Sequence, residues 1–182
     1  MTDQIPELHE RVTAGRLLAT TAAQISAHLD SFCSWLLIGV GGAYSLVLAN
    51  LDSLQKLVSP RSIQISLLLL LIAIVLGVFQ RWLAAIVAAG AATGEKAEQI
   101  GRELAAQDIN VDFRIVFREM ERGTYYPAKW MVRRSFAKAI AGDFAASGRV
   151  AAALSQIQSG LALVLVGFVV AALAVTVFGV QV

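Results

Sequence analysis

The residues best suited to chemistry form one basic and aromatic cluster. Between Phe113 and Lys138 the chain carries seven cationic residues, Arg114, Arg118, Arg122, Lys129, Arg133, Arg134 and Lys138, against only Glu119 and Glu121. Tyr125, Tyr126 and Trp130 lie among them. Cations interleaved with aromatic rings can bind anions, among them the phosphates of a nucleotide or nucleic acid and the headgroups of acidic lipid. A segment held beside a bilayer meets lipid first, where each cation gains about 1 kcal/mol. The same cations would also serve as a solvated face that only orients the chain. The formal net charge of +2 is too small to argue for nucleic acid, and no nucleic-acid partner is expected.

Other chemistries lack their residues. His9 and His28 are the only histidines, and His9-Glu10 does not continue to the second histidine of a helical zinc site. Cys33 is the single cysteine, which excludes an intramolecular disulfide. Its type and place suggest a small packing residue, with juxtamembrane acylation as the alternative. No phosphate-binding glycine loop and no nucleophile elbow occurs. The sequence therefore nominates no catalytic, cofactor-binding or metal-ligating residue, and an enzyme is not expected.

Three long apolar stretches must position the basic cluster. Phe32 to Leu51 and Ser62 to Gln80 carry no charge, and the second stretch resumes beyond Arg81 as far as Thr93. After Arg149 no charged side chain appears up to Val182. About 20 apolar residues span the ~30 Å hydrocarbon core of a bilayer. Hydrophobic residues make up 57% of the chain and charged residues 15%, with a mean hydropathy of +0.68. These features predict an all-α integral membrane protein. Three transmembrane helices are expected, with a helical cytoplasmic segment between the second and third.

The expected organisation is an N-terminal amphipathic helix over 1–31, spans at 32–51, 62–93 and 157–180, and the helical segment over 94–149. No basic n-region stands before a short apolar core, so the first span is expected to persist as an anchor rather than be cleaved. Lys and Arg near span ends set orientation. The 94–149 segment carries ten, and the short link between the first two spans only Lys56 and Arg61. This asymmetry predicts a cytoplasmic N-terminus and cytoplasmic segment, and a C-terminus outside. The Ala-rich, Lys-poor composition suggests a GC-rich bacterial genome, so the membrane expected is a bacterial inner membrane.

Within 1–31, Leu8, Val12, Leu17, Leu18, Ile25 and Leu29 form a loose apolar stripe. Such a helix would lie on the membrane or pack on the 94–149 segment. The pattern after the second span continues without a strong breaker, predicting one helix from about 62 to about 106. Residues 109–118 alternate as a strand would, but Phe113, Val116, Phe117 and Met120 also share a helical face. A lone strand leaves its backbone groups unpaired, which favours a helix over 111–122. Gly123 to Pro127 breaks the chain. Helix is then expected to about 180, with flexing at Gly142 and Gly148.

Small residues predict close helix approach. Gly39 and Ala43, and Gly41 and Ser45, lie four apart in the first span. Ala139, Ala146, Ala153, Gly160, Gly167 and Ala174 recur every seventh position. Either face would serve packing within the chain or association between chains. No carboxylate lies inside a span, which argues against proton relays and ion-coupled transport. A pore lined by Gln64, Ser66 or Gln80 is one further use of the polar residues. The expected function is that of a non-enzymatic membrane protein that self-associates through small-residue faces, forming a pore or perturbing the membrane. The alternative is an accessory or assembly subunit of a larger membrane complex. The expected partners are membrane lipid and either further copies of the chain or other subunits.

Overall fold

The computed structural model describes residues 4–51, 58–107, 112–123, 128–143 and 145–179. Five helices follow one another, α1 (Gln4–Ala49), α2 (Pro60–Ala106), α3 (Phe113–Arg122), α4 (Ala128–Ile140) and α5 (Ala146–Phe178). Among the described residues there is no strand. Three segments, Glu10–Ala49, Pro60–Leu104 and Ala146–Phe178, are long and apolar enough to cross a membrane.

Helix α1 runs unbroken past residue 31, where the N-terminal helix and the first span were expected to part. No proline follows Pro6 within it, and Ala, Leu and Thr carry the helix through the boundary. At ~1.5 Å per residue it is roughly 69 Å long. Helix α2 begins at Pro60, a residue suited to a first turn, and Ser59 caps it. Ser59 Oγ accepts from the Ser62 N–H at 3.2 Å. It continues to Ala106, as the unbroken apolar pattern predicts.

The alternating segment is helical from Phe113 onward. Residues 108–111 and 124–127 lie outside the described part of the chain. Gly142 breaks the last helical region and Gly148 does not. Helix α4 ends in a left-handed turn, with Gly142 at φ +88° and the Asp143 N–H donating to the Lys138 carbonyl at 2.9 Å. That is the Schellman arrangement, in which glycine avoids the Cβ clash of the left-handed region. Gly148 sits inside α5, in its first turn.

The chain divides into two compact units, residues 1–24 with 86–154, and residues 25–85 with 155–182. Each long helix contributes to both. In the first unit, Gly15 of α1 and Gly148 of α5 approach so closely that a Cβ on Gly148 would strike the Gly15 backbone. Arg16 pairs with Glu98 of α2 at 2.5 Å, and Glu98 also meets Arg102 at 3.5 Å, one turn on. Ala22, Val87, Ala145 and Ala146 are buried there. Of the expected stripe, Val12, Leu17, Leu18 and Ile25 are exposed, while Leu29 packs against the core of the second unit. Small residues hold the inward positions because close backbone approach leaves no room for leucine.

In the second unit α1, α2 and α5 pack around Cys33, Ala73, Ala162, Leu165 and Val169. Tyr44, Leu70 and Ala172 form a smaller cluster. Two links fix α1 against α5. Ser26 bonds Gln158 and Tyr44 bonds Thr176, with the same offset of 132 residues in both. The two helices are therefore parallel and in register. Helix α2 runs antiparallel to them. Gln80 lies opposite Leu29, a Cβ on Gly77 would meet Leu37, and the Ser59 N–H donates to the Gly179 carbonyl at 3.1 Å. Cys33, only 3% exposed, is a packing residue with no access for acylation.

Candidate functional site: a basic cleft and outward small-residue faces

The basic cluster is divided among different surroundings. Arg122 on α3 is held by Glu119 one turn back, at 2.7 Å. Arg133 on α4 reaches toward Glu121 of α3 at 3.9 Å. Arg118 and Lys129 are exposed. The side chain of Arg114 lies outside the described part. Arg134 and Lys138 come together differently. With Ser135 and Val150 they line a cleft of about 220 Å³ where α4 faces the first turns of α5. Positions 134, 135 and 138 share one side of a helix, while 133 points about 100° away. Helical spacing thus sorts Arg133 toward α3 and Arg134 toward α5.

The turn that builds the cleft is held by its own charges. Asp143 accepts from the Arg149 guanidinium, and the Ala146 N–H donates to the Asp143 carbonyl at 3.2 Å. A carboxylate beside the α5 N-terminus also complements the helix dipole. Lys138 makes no ion pair among the described residues.

The small residues divide as well. Three glycines are filled by neighbours. Gly77 faces Leu37, Gly148 faces Gly15, and Gly179 faces Ser62. The nominated glycines are not. A Cβ on Gly39, Gly41, Gly160 or Gly167 would meet no neighbour within 4 Å. Ala43 is exposed and Ala174 half-buried. Of the seventh-residue series, Ala146 is buried while Ala153, Gly160 and Gly167 are exposed. The internal seam of α5 lies two residues further on, at Gly148, Ser155, Ala162, Val169 and Thr176, joined by Gln158, Leu165 and Ala172. Helix α5 therefore carries two small-residue seams, one occupied and one open.

Nothing in family models, curated proteins or solved structures matches the chain. The reading of its site rests on its own residues.

The polar residues proposed to line a pore do not do so within one chain. Ser66 is fully buried and donates to the Ile63 carbonyl at 3.1 Å. Gln80 is 1% exposed, and its Nε2 donates to the Leu29 carbonyl at 3.2 Å. Only Gln64 faces outward. Thr176 Oγ1 donates to Ala172 at 3.0 Å. Its single proton is thereby used, so the Tyr44 hydroxyl donates to Thr176 Oγ1 at 3.0 Å. Ser45 likewise bonds its own helix at Gly41. Sequence reasoning missed Ser26 and Gln158, both buried. The available signal was the pair Gln156 and Gln158 at the start of the long apolar run of α5, of which only Gln158 is buried; an unpaired amide there would be costly.

Proposed function

We propose that this chain is a non-enzymatic membrane protein of a bacterial inner membrane that assembles with further copies of itself. Its three long helices cross the bilayer, with the N-terminus and the 94–149 segment cytoplasmic and the C-terminus outside. The observation that carries this reading is the second seam of α5. Ala153, Gly160 and Gly167 line an open face while the chain's own helix contacts use a different set of positions. Lipid tails are as apolar as leucine, so helices associate in a bilayer by close packing, and small residues permit it. Helix α1 adds a further open face at Gly39 and Ala43. Only 11% of its apolar window is buried in the chain, half the 22% of the other two spans.

A conducting path in such an assembly runs between copies, because Gln80 and Gln158 are buried inside each chain. Mass measurement of the protein purified in mild detergent tests the reading. A closed homo-oligomer that Gly160→Leu and Gly167→Leu each disrupt is the expected result. A monomer of unchanged size in both variants excludes self-assembly. Stoichiometric co-purification of other proteins would instead make the chain an accessory subunit of a larger complex.

A further inference from the structure

We infer that copies of this chain pair head to tail, the outward face of α1 in one copy lying on the outward face of α5 in the next, with Trp35 seated over Gly167. The pairing rests on the self-assembly proposed above and names its surface and geometry. All of its residues lie in the second unit.

Trp35 and Gly167 stand at the same height on opposite sides of the α1–α5 pair. The links Ser26–Gln158 and Tyr44–Thr176 set each residue of α1 level with the residue 132 further on in α5. Trp35 is thereby level with Gly167. Each lies nine residues from both links on its own helix, and nine residues at about 100° each amount to a half-turn. Trp35 therefore points directly away from α5, and Gly167 directly away from α1. Trp35 is 73% exposed, and a Cβ on Gly167 would meet no neighbour within 4 Å.

The two faces match in size level by level. Phe32 and Trp35, both exposed, make the first half of the α1 face bulky. Over those levels α5 is open at Gly160 and Gly167. Further along, the α1 face falls to Gly39 and Gly42, both open, and α5 carries the half-buried Ala171 and Ala174 at the same levels. A large side chain thus meets a notch in the first half. In the second half small meets small, which lets the backbones approach. Copies inserted with one orientation and depth bring equal levels together. Facing α1 with α1 would instead set Trp35 against Trp35, hold the glycine levels apart and leave the α5 face open.

The area favours the same arrangement. Each face is a strip roughly 35 Å long and about 10 Å wide, the width of a helix. Head-to-tail contact covers the α1 strip with one neighbour and the α5 strip with the other. Each copy then buries roughly 700 Å², close to the roughly 800 Å² per partner of stable interfaces. An α1–α1 pair buries about half of that. Because the two faces point opposite ways, a row of copies keeps one open face at each end until it closes as a ring.

Disulfide cross-linking of the full-length protein, in the membranes of the cells that express it, tests the pairing. The wild type, whose Cys33 is buried, gives the background. A disulfide needs Cα atoms within about 7 Å, and within one chain the bodies of α1 and α5 separate positions 35 and 167. Trp35→Cys and Gly167→Cys chains are expressed alone and together, then oxidised with copper phenanthroline. Linked dimer from the two together, and none above background from either alone, is expected. A chain carrying both substitutions should give a ladder of linked oligomers that stops at the size found by mass measurement. The match in size supplies a second readout. Gly167→Leu fills the notch and should lose the assembly, and Trp35→Ala in the same chain should restore it. Circular dichroism establishes that helix content is unchanged in both. Linkage of either single variant to itself overturns the pairing. So does the absence of linkage from the two together, or of rescue by Trp35→Ala, while the wild type still measures as an oligomer. Those results leave self-assembly standing, whereas a monomeric wild type ends both.

Discussion

Ser26 and Gln158 bond each other twice inside the three-helix unit. Ser26 Oγ donates to Gln158 Oε1 at 2.6 Å, and Gln158 Nε2 donates to the Ser26 carbonyl at 3.2 Å. Both side chains are buried, at 1% and 0% exposure, so water cannot substitute for either partner. The amide is satisfied on both sides, and a one-residue slip of α5 along α1 would orphan it. Tyr44 and Thr176 repeat the link eighteen residues further along both helices, roughly 27 Å away. That separation approaches the thickness of a bilayer core of ~30 Å. The register of α1 on α5 is thus pinned at two levels with small and apolar residues between.

Gln158→Leu should therefore destabilise the protein by about 1–2 kcal/mol, the range for a lost buried hydrogen bond. Ser26→Ala should cost less, because its backbone carbonyl still accepts from Gln158. The double variant should fall short of the sum, since each single change already breaks the hydroxyl–amide bond. Melting temperatures in detergent measure all three. Strict additivity would show that the two side chains do not interact.

Gln80 should behave in the opposite way. Its Nε2 bonds Leu29, but its Oε1 is buried with no hydrogen-bond partner. The Leu29 carbonyl sits in the α1 ladder and gains only a second donor from Gln80. Replacing Gln80 with leucine of similar volume removes an unsatisfied acceptor and leaves no new one. Such swaps are nearly neutral or stabilising. An unchanged or higher melting temperature for Gln80→Leu is expected, and a drop comparable to that of Gln158→Leu would contradict the assignment.

The contrast between the two glutamines bears on what was legible in the residues. The continuity of the second long helix followed from its unbroken apolar pattern, whereas at Gly142 the sequence suggested only flexing and the helix ends there in a left-handed turn. The helix over Phe113–Arg122 followed from the argument that a lone strand cannot satisfy its backbone. The inward face of α1 did not follow. Gly15, Ala22, Ser26 and Cys33 are buried while Leu17 and Ile25 are exposed, the reverse of the soluble pattern. A hydrophobicity stripe finds the face that prefers water least, whereas helices in close contact select the smallest side chains. The same inversion leaves the internal α5 seam unmarked in the sequence, since Ala and Gly occur at many phases of that helix. The basic cluster was visible as a whole. Its division into paired, exposed and cleft-lining members depends on the α4–α5 turn, which composition does not reveal.

Gly77 and Gly167 offer a test of that distinction between filled and open glycines. A methyl at Gly77 would overlap the Leu37 side chain. Gly77→Ala should cost no more than about 1 kcal/mol, because the methyl meets only the tip of the Leu37 side chain, which can turn to another rotamer. Leu37→Ala in the same chain should relieve the overlap while adding the cost of lost burial, so the pair should be less harmful than the sum of the two. Gly167→Ala should leave the melting temperature of the monomeric protein unchanged, because nothing lies within 4 Å. Equal damage from both alanines would mean that position 167 is covered within the chain.

Gly148 should be the least replaceable residue of the first unit. Its would-be Cβ meets the carbonyl oxygen, carbonyl carbon and α-carbon of Gly15, all of them backbone atoms. A side chain can rotate away from an intruding methyl, but a helix backbone can only move as a whole. Gly148→Ala should therefore separate α1 from α5 around Gly15, and Gly15 admits no smaller replacement that could compensate. The consequences should be graded. The Arg16–Glu98 pair joins an exposed arginine to a half-buried glutamate and contributes little, so its loss alone should change stability by about 1 kcal/mol or less. The loss of glycine packing should cost several times more. Hydrogen exchange should show faster exchange over residues 10–24 and 146–154 in Gly148→Ala, with the Ser26–Gln158 level less affected. Equal protection of those segments in the wild type and Gly148→Ala would show that α1 and α5 do not make this approach in the folded protein.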